Sequence, residues 1–261
     1  MNRMELEMVH LLRELAERHG VSGVKAEFEA EGTRTEELMR LKEICLEAQT
    51  SLTLKIGGCE AVRDMYDARA IGVDHVVAPM VETRFALQKY LRAIDTVFPR
   101  DEQEEIEFLI NVETRLAVEN FDEMLKLTNI ARLDGIVVGR VDLVGSMGLD
   151  RKAMNTDTVF QLVVPLFEKA KARNMTCVLG GGIAVDALPF IRAIPSGLID
   201  RYETRKICFS CPEALEMDAE QGILKAVRFE LLWLQNKRSF YKTISEEDDK
   251  RISMLEARFA R

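Results

Sequence analysis

Short runs of apolar, β-branched residues alternate along this chain with longer stretches in which apolar residues recur every three or four positions. The first pattern is typical of buried strands and the second of amphipathic helices. The strand-like runs are centred near residues 24, 54, 77, 109, 137, 177 and 205. Because strands and helices alternate, the pattern predicts an α/β protein with parallel strands and right-handed crossovers.

The predicted elements follow one another without a linker or an internal repeat, so we expect a single domain over residues 1–261. The helices are predicted over 4–19, 35–48, 61–71, 83–94, 114–125, 159–173 and 185–193. The strands are predicted over 21–29, within 52–60, over 75–79, 106–112, 135–139 and 175–179, and within 198–209. Two further helices, 212 to about 237 and 245 to about 260, form a C-terminal extension (212–261) that we expect to contact another subunit.

Two carboxylates follow successive strands of the central segment. Glu113 comes directly after the run 106–112, and Asp142 follows the run 135–139 and its Gly-rich turn. Since parallel strands end at the same edge of a sheet, these side chains are expected to lie close together. Facing carboxylates repel unless a cation or proton lies between them, and Mg²⁺ suits one or two carboxylates with water and substrate oxygens. The alternative is that each is a helix cap or a solvated loop residue.

Charged residues alternate with apolar ones in the first two strands. In a barrel surrounded by helices the apolar residues face outward, which directs Lys25, Glu27 and Lys55 into the interior. An unpaired charge is costly there, and an edge strand with a solvated face is the alternative for 21–29. The glycines at 57–58 allow a sharp turn beyond Lys55, whose ammonium group is then placed to neutralise a carboxylate or an enolate oxygen.

Two late segments are further candidates for anion binding. The glycine run 180–182 follows a strand, and barrels often bind phosphate through backbone N–H groups at such a place, although a tight turn explains the run equally well. The last strand has an ambiguous phase, so either Arg205 or Lys206 points inward.

Three segments resemble motifs of one enzyme family. NVETRLAVENFDEML (111–125) and DGIVVGRVDLVGSMG (134–148) resemble the metal-binding motifs of the HpcH/HpaI aldolase and citrate lyase β-subunit family, and VVAPMVET (76–83) resembles its fourth-strand signature. The resemblance implies a (β/α)8 TIM-type barrel, homo-oligomers, and a divalent metal, Mg²⁺ or Mn²⁺, that stabilises the enolate of pyruvate or a related 2-oxo acid. We therefore predict that Glu113 and Asp142 are metal ligands.

The substrate is expected to bind beside this metal pair. Backbone N–H groups around Gly139, Arg140 and Val141 are candidates for its carboxylate, and Lys25 and Arg205 are the cationic candidates. The predicted reaction is carbon–carbon bond cleavage or formation through the enolate.

The chain departs from the family pattern in three ways. Lys55 stands where the aldolases carry an arginine, and a lysine lacks the bidentate fork. The aldolases' histidine base and its aspartate partner have no counterparts near EFEAEG and Ala70, so Glu27 or a metal-bound water must transfer the proton. Finally, only seven strands are predicted, where a closed barrel needs eight. Since MNR leaves no room for the family's first strand, that strand is lacking or modified.

Two other functions remain open from the sequence. One is a non-catalytic or regulatory protein that binds a 2-oxo acid or phosphoenolpyruvate on a retained barrel. The other is a citrate lyase-like or biosynthetic condensing enzyme, because the citrate lyase branch also lacks the aldolase histidine.

The composition and charge of the chain limit the kinds of partner and the compartment that we expect for it. The net charge of −8 argues against nucleic acid, which requires a basic face. No stretch approaches the ~20 apolar residues of a membrane span, and the charged N-terminus does not resemble a signal peptide. The odd number of cysteines, five, favours a reducing cytoplasm over a disulfide framework.

Overall fold

A computed structural model describes residues 1–260 and contains eight strands that close into one barrel in sequence order. The strands are β1 Val21–Glu27, β2 Ser51–Lys55, β3 His75–Ala78, β4 Glu107–Asn111, β5 Gly135–Gly139, β6 Thr176–Gly180, β7 Arg201–Glu203 and β8 Ile207–Ser210. The helices are α1 Arg3–His19, α2 Thr35–Ala48, α3 Val62–Ile71, α4 Arg84–Val97, α5 Arg100–Gln103, α6 Arg115–Met124, α7 Arg140–Ser146, α8 Asp157–Lys171, α9 Leu188–Ala193, α10 Glu213–Glu216 and α11 Ala219–Phe259.

The eighth strand accounts for the missing first strand. Strands β1 to β6 each pair in parallel with the following strand, whereas β8 runs antiparallel to both β7 and β1. The segment predicted as one strand within 198–209 is a hairpin, with its turn at Thr204–Lys206. The prediction of a TIM-type barrel is therefore confirmed, and the reversed last strand, β8, completes the sheet.

Two helix predictions need correction. The turn expected after β5 is the short helix α7, which carries Asp142 in its first turn. The two C-terminal helices are one 41-residue helix, α11, so Ser245 does not begin a new helix. The mainly polar stretch 242–250 continues the helix because no proline or glycine interrupts it.

Alternation along the strands separates two apolar layers. The outward side chains of the sheet pack against the helices in the main core, which includes Val24, Leu54, Ile110 and Ile136. Inside the barrel, Val77, Leu109, Val137 and Val178 form a separate, smaller cluster. This inner cluster divides the interior into a floor at the amino ends of the strands and an open mouth at their carboxyl ends.

The floor is closed by polar groups that satisfy one another. His75 Nδ1 lies 3.1 Å from Thr53 Oγ1, and its Nε2 lies 3.2 Å from Arg201, which also pairs with Glu107. Burial and the neighbouring Arg201 charge lower the pKa of His75, so the ring is neutral at physiological pH. These hydrogen-bonded side chains therefore close the barrel beneath the inner apolar cluster.

Candidate active site

A cavity of about 350 Å³ opens at the carboxyl ends of the strands. Active sites of TIM-type barrels lie at this face, where the βα loops meet. It is lined by carboxylate, ammonium and guanidinium groups, by glycine backbone and by two residues of α11. The lining residues used below are Lys25, Glu27, Glu29, Lys55, Asn111, Glu113, Val141, Asp142, Gly180, Gly181, Gly182, Glu203, Arg205, Val227 and Glu230.

Glu113 is the most deeply buried carboxylate of the cavity, with a relative exposure of 1%. It follows β4, and each of its oxygens accepts one hydrogen bond, at 3.0 Å from the backbone N–H of Met80 and at 2.6 Å from Nδ2 of Asn111. Burial raises the pKa of Glu113, against the opposing effects of Lys55 and the two donors. Each carboxylate oxygen keeps a lone pair that these donors do not use.

Asp142 lies on the next βα unit and faces the same cavity. Its carboxylate is exposed and forms neither an ion pair nor a hydrogen bond with any side chain in the described part of the chain. The charge of Asp142 is close enough to raise the pKa of Glu113. Glu113 and Asp142, which were predicted to lie close together, therefore line the same cavity.

Asn111 supplies a further oxygen at this point. Its Oδ1 is buried and has no hydrogen-bond partner among residues 1–260, although a buried polar atom normally has one. Asn111 and Glu113 are two residues apart, so the pleat of β4 directs both toward the interior. An unpaired amide oxygen in a cavity that also holds two carboxylates is the kind of donor set that hard cations bind.

This donor set fits a Mg²⁺ or Mn²⁺ ion. No cluster of three or more acidic, histidine or cysteine side chains that could enclose a metal occurs in the described residues. Mg²⁺ does not need one, because it usually keeps several waters and binds one or two carboxylates together with substrate oxygens. Gly139 keeps the space open, since a Cβ there would lie 2.6 Å from Glu113 Oε2.

Lys55 provides the positive charge nearest to Glu113. Its Nζ lies 3.7 Å from Glu113 Oε2 and 3.0 Å from Glu29 Oε2. Burial lowers the pKa of Lys55, but the carboxylates of Glu113 and Glu29 outweigh it and raise the pKa overall. Lys55 therefore stays protonated and serves as a cation rather than as a base.

A second charge cluster crosses the barrel from β1 to β7. Lys25 Nζ lies 2.6 Å from Glu203 and 3.2 Å from Glu27, and Glu27 also pairs with Arg205 at 3.3 Å. Burial opposes the charge on Lys25, yet the two carboxylates raise its pKa. Burial likewise opposes the charge on Glu27, yet Lys25 and Lys55 lower its pKa. The inward direction predicted for Lys25 and Glu27 is therefore what the barrel has, and both are ionised.

Arg140 has a different position from the other predicted site residues. Its side chain is fully buried and does not line the cavity; it donates to the carbonyl of Gly181 at 3.0 Å and to Asn155 Oδ1 at 2.5 Å. Gly181 has a φ of +76°, and a Cβ there would lie 2.5 Å from the Arg140 backbone nitrogen. The guanidinium thus holds the 180–182 turn against α7, and only the backbone of Arg140 remains a candidate for substrate binding.

Several lining residues were not identified from the sequence. Asn111 was detectable, because it shares the inward phase of β4 with Glu113. Glu203 was missed because the hairpin was taken as one strand, which left the phase of Arg205 and Lys206 undefined. In the structure Arg205 reaches the cavity, while Lys206 pairs with Glu31 and faces the ring of Trp233.

None of the three histidines lies at the cavity. His10 is exposed on α1, His19 ends that helix, and His75 belongs to the floor. No histidine is therefore placed to act as the base at this cavity.

No helix among residues 1–260 is long and apolar enough to cross a membrane.

Comparisons with known proteins agree with this architecture. The model of the HpcH/HpaI aldolase/citrate lyase family matches residues 41–201. No curated protein sequence matches the chain. Similar solved structures include an HpcH/HpaI aldolase from Desulfitobacterium hafniense DCB-2, with 15% identity over 70% of this chain and 77% of that one and a TM-score of 0.58.

Two further structures share the fold. The citrate synthase SbnG is 18% identical, with 71% of this chain and 78% of that one covered and a TM-score of 0.57. An HpcH/HpaI aldolase/citrate lyase family protein from Burkholderia cenocepacia J2315 is 15% identical, with coverages of 86% and 90% and a TM-score of 0.58. At these identities the similarities concern the barrel itself.

Proposed function

The chain belongs to the HpcH/HpaI aldolase/citrate lyase family, and from that premise we propose that it is a divalent-metal-dependent carbon–carbon lyase or synthase acting through the enolate of a 2-oxo acid. One observation carries the proposal. Glu113 and Asp142 face one cavity in which an unpaired amide oxygen, Asn111 Oδ1, and a protonated Lys55 also lie. When bound there, Mg²⁺ or Mn²⁺ supplies Lewis-acid stabilisation of negative charge on substrate oxygen.

The cationic side chains bind and orient the anionic substrate. Lys55 places a second positive charge beside the position where enolate charge develops, and a fixed charge in a water-poor cavity acts more strongly than one in bulk water. Arg205 is half-exposed at the mouth, with Glu27 as its partner at 3.3 Å. It is therefore free to bind a distal carboxylate or phosphate by exchanging that partner. The backbone N–H groups of 139–141 are candidates for the substrate carboxylate.

Glu27 is the residue that we assign to proton transfer. It lines the cavity and is ionised, because Lys25 and Lys55 outweigh its burial. A general base works best when its pKa is near the working pH. The lowered pKa of Glu27 makes it a weak base, so enolisation is expected to be slow compared with an enzyme that uses histidine.

The same lowered pKa favours one alternative, a non-catalytic protein that binds a 2-oxo acid or phosphoenolpyruvate. Such a protein needs the metal pair and the cations but no base. A fully ion-paired Glu27, with Lys25 and Arg205 as partners, suits that role as well.

Deuterium exchange at the methyl group of pyruvate in ²H₂O tests the proposal and separates the two functions. We expect exchange with Mg²⁺ or Mn²⁺, loss of exchange in EDTA, and loss in Glu113→Gln. Glu119→Gln, which changes an exposed glutamate on α6, is the matched control and should exchange as the parent does. Oxaloacetate decarboxylation serves as a second probe of the same enolate. Undiminished turnover in EDTA would contradict the enzymatic proposal, and calorimetric binding of pyruvate without exchange would identify a binding protein.

A further inference from the structure

The helix α11 rises along the barrel and continues beyond its mouth. Its first half packs against α1 through one buried face, which includes Ile223, Ala226, Phe229 and Trp233. Asn236 Oδ1 accepts from Asn2 at 2.6 Å, near the upper end of α1. From 242 onward every described residue of the helix is exposed. At 1.5 Å per residue, the protruding part is roughly 25 Å long.

A second face of α11 carries apolar residues toward both of its ends and is exposed except at Tyr241, which is half-buried and donates a hydrogen bond to Glu37 Oε1 at 2.7 Å. Val227, Leu231 and Leu234 do not share the buried face of Ile223 and Ala226, because they are exposed by 56%, 53% and 51%. The same face continues into the protruding half, with steps of three and four residues throughout. Its members are Leu224, Val227, Leu231, Leu234, Arg238, Tyr241, Ser245, Asp248, Ile252, Leu255 and Phe259, which we call the α11 stripe.

The α11 stripe has the spacing of a coiled-coil seam. Apolar residues at alternating three- and four-residue steps form a strip that faces one partner helix along its whole length. The stripe is apolar at both ends and polar in the middle. Both ends are exposed, Leu224 by 52%, Ile252 by 51% and Phe259 by 95%.

We propose that the α11 stripe pairs with the α11 stripe of a second copy of this chain, in antiparallel orientation. One register pairs every member of the stripe except Leu224, and it places apolar residues opposite apolar ones, an arginine opposite an aspartate and a tyrosine opposite a serine. The facing pairs are Val227 with Phe259, Leu231 with Leu255, Leu234 with Ile252, Arg238 with Asp248, and Tyr241 with Ser245. Each pair occurs twice because the arrangement has a two-fold axis, which makes the interface self-complementary.

Two other arrangements of the paired helices bring less compatible side chains opposite each other. A shift by one heptad places Leu231 opposite Asp248 in one direction and Arg238 opposite Leu255 in the other. A parallel pair places Arg238 against Arg238 and Asp248 against Asp248, and like charges that are desolvated together are destabilising.

The charges around the stripe favour the same orientation. The segment 237–242 carries Lys237, Arg238 and Lys242, whereas 246–249 consists of four acidic residues. Antiparallel pairing about residue 243 brings the basic segment of one copy to the acidic segment of the other. A second copy of this chain is therefore the partner whose charge and apolar pattern fit.

The pairing also completes the border of the cavity. Val227 and Glu230 line the cavity, and the register places Phe259 of the second copy on Val227. The mouth of each barrel is then bordered by the C-terminal end of the other subunit. This consequence concerns the site, but the pairing itself does not depend on the proposed reaction.

Charge exchange tests the register on the full-length protein. Arg238→Asp and Asp248→Arg each place like charges in the central layers, so either change should weaken dimerisation by about tenfold or more. The double variant R238D/D248R restores opposite charges in an antiparallel pair and should regain the parent's dimer. Lys250→Asp, off the stripe on α11, and Glu119→Arg, on the exposed face of α6, make the same charge changes elsewhere and should leave dimerisation unchanged.

Sedimentation equilibrium gives the dissociation constant, and far-UV circular dichroism checks that each variant is folded. The proposal is overturned if the parent is monomeric at tens of micromolar concentrations, if the single changes leave the dimer intact, or if the double variant fails to recover it. Because the measured quantity is mass, the result stands apart from the deuterium-exchange assay.

Discussion

At the scale of single residues, the site is assembled from groups that burial makes energetically costly. Glu113 has its two hydrogen-bond donors and a lysine 3.7 Å away, yet burial still raises its pKa. The ionised carboxylate is therefore less favourable in the fold than in the unfolded chain at neutral pH. Such a cost is acceptable at a binding site, because a cation that occupies the site removes it.

Replacing Glu113 with glutamine is accordingly expected to stabilise the metal-free protein. The carboxylate costs no stability below its ordinary pKa of 4.5; the cost grows as pH rises from there to the raised pKa of the folded state and is constant above it. Glutamine removes the charge, and its Nε2–H can donate to Asn111 Oδ1 after an amide flip. We expect a gain on the order of 1 kcal/mol at pH 7 and little at pH 4.

Urea unfolding of Glu113→Gln in EDTA at the two pH values measures this difference. Glu119→Gln, on the exposed face of α6, provides the reference and should show no such pH dependence. A loss of stability at pH 7 in the buried variant would mean that the carboxylate contributes structure rather than function.

At the scale of elements, periodicity predicted most of the barrel because most strands obey a simple rule. Strand β5 and helix α2 have the predicted bounds, since apolar runs and helical spacing there are uninterrupted. The hairpin β7–β8 was not predicted, because its turn, Thr204–Lys206, has neither glycine nor proline. Its register is fixed by tertiary contacts instead, as the rings of Tyr202 and Phe209 stack with centroids 4.8 Å apart.

The candidate site was partly predictable for the same reason. Glu113, Asp142, Lys25, Glu27 and Lys55 follow from strand phase and parallel topology, which local sequence reports well. The sequence did not predict that the Arg140 guanidinium is buried, because its hydrogen-bond partners at 155 and 181 are distant in the chain. Likewise, the buried and the exposed face of α11 both carry apolar residues, so the sequence did not predict which face packs against the barrel.

The stacked pair provides a test of how far barrel closure depends on β8. Phe209→Ala removes a fully buried ring and should cost about 3–5 kcal/mol of unfolding free energy. Phe85→Ala removes a ring that is 67% exposed on α4 and should change stability by less than about 0.5 kcal/mol. Chemical denaturation of the two variants gives the comparison, and equal effects would contradict a role for β8 in closing the barrel.

At the scale of the whole molecule, the proposed pairing of the α11 stripe predicts that folding and association are linked. A dimer that forms only from folded chains is stabilised by mass action, so its melting temperature rises with protein concentration. The apolar layers supply this coupling, and a charge in one of them, Leu231→Glu, should abolish it.

Thermal unfolding over a hundredfold range of protein concentration measures the effect. We expect the melting temperature of the parent to rise across the range and that of Leu231→Glu to stay constant. Leu46→Glu alters another leucine that is exposed, by 64%, but lies on α2. That variant should behave as the parent does; a flat response in the parent itself would count against a folded dimer.

The backward course of β8 decides where the chain goes next. Had the last strand pointed the same way as its neighbours, it would have ended at the mouth, and the helix after it would have descended toward the floor. Instead β8 ends beside Gly20 at the floor, so α11 must climb the full height of the barrel. The reversal of these four residues thus determines that α11 passes the mouth of the cavity instead of running beneath the floor of the barrel.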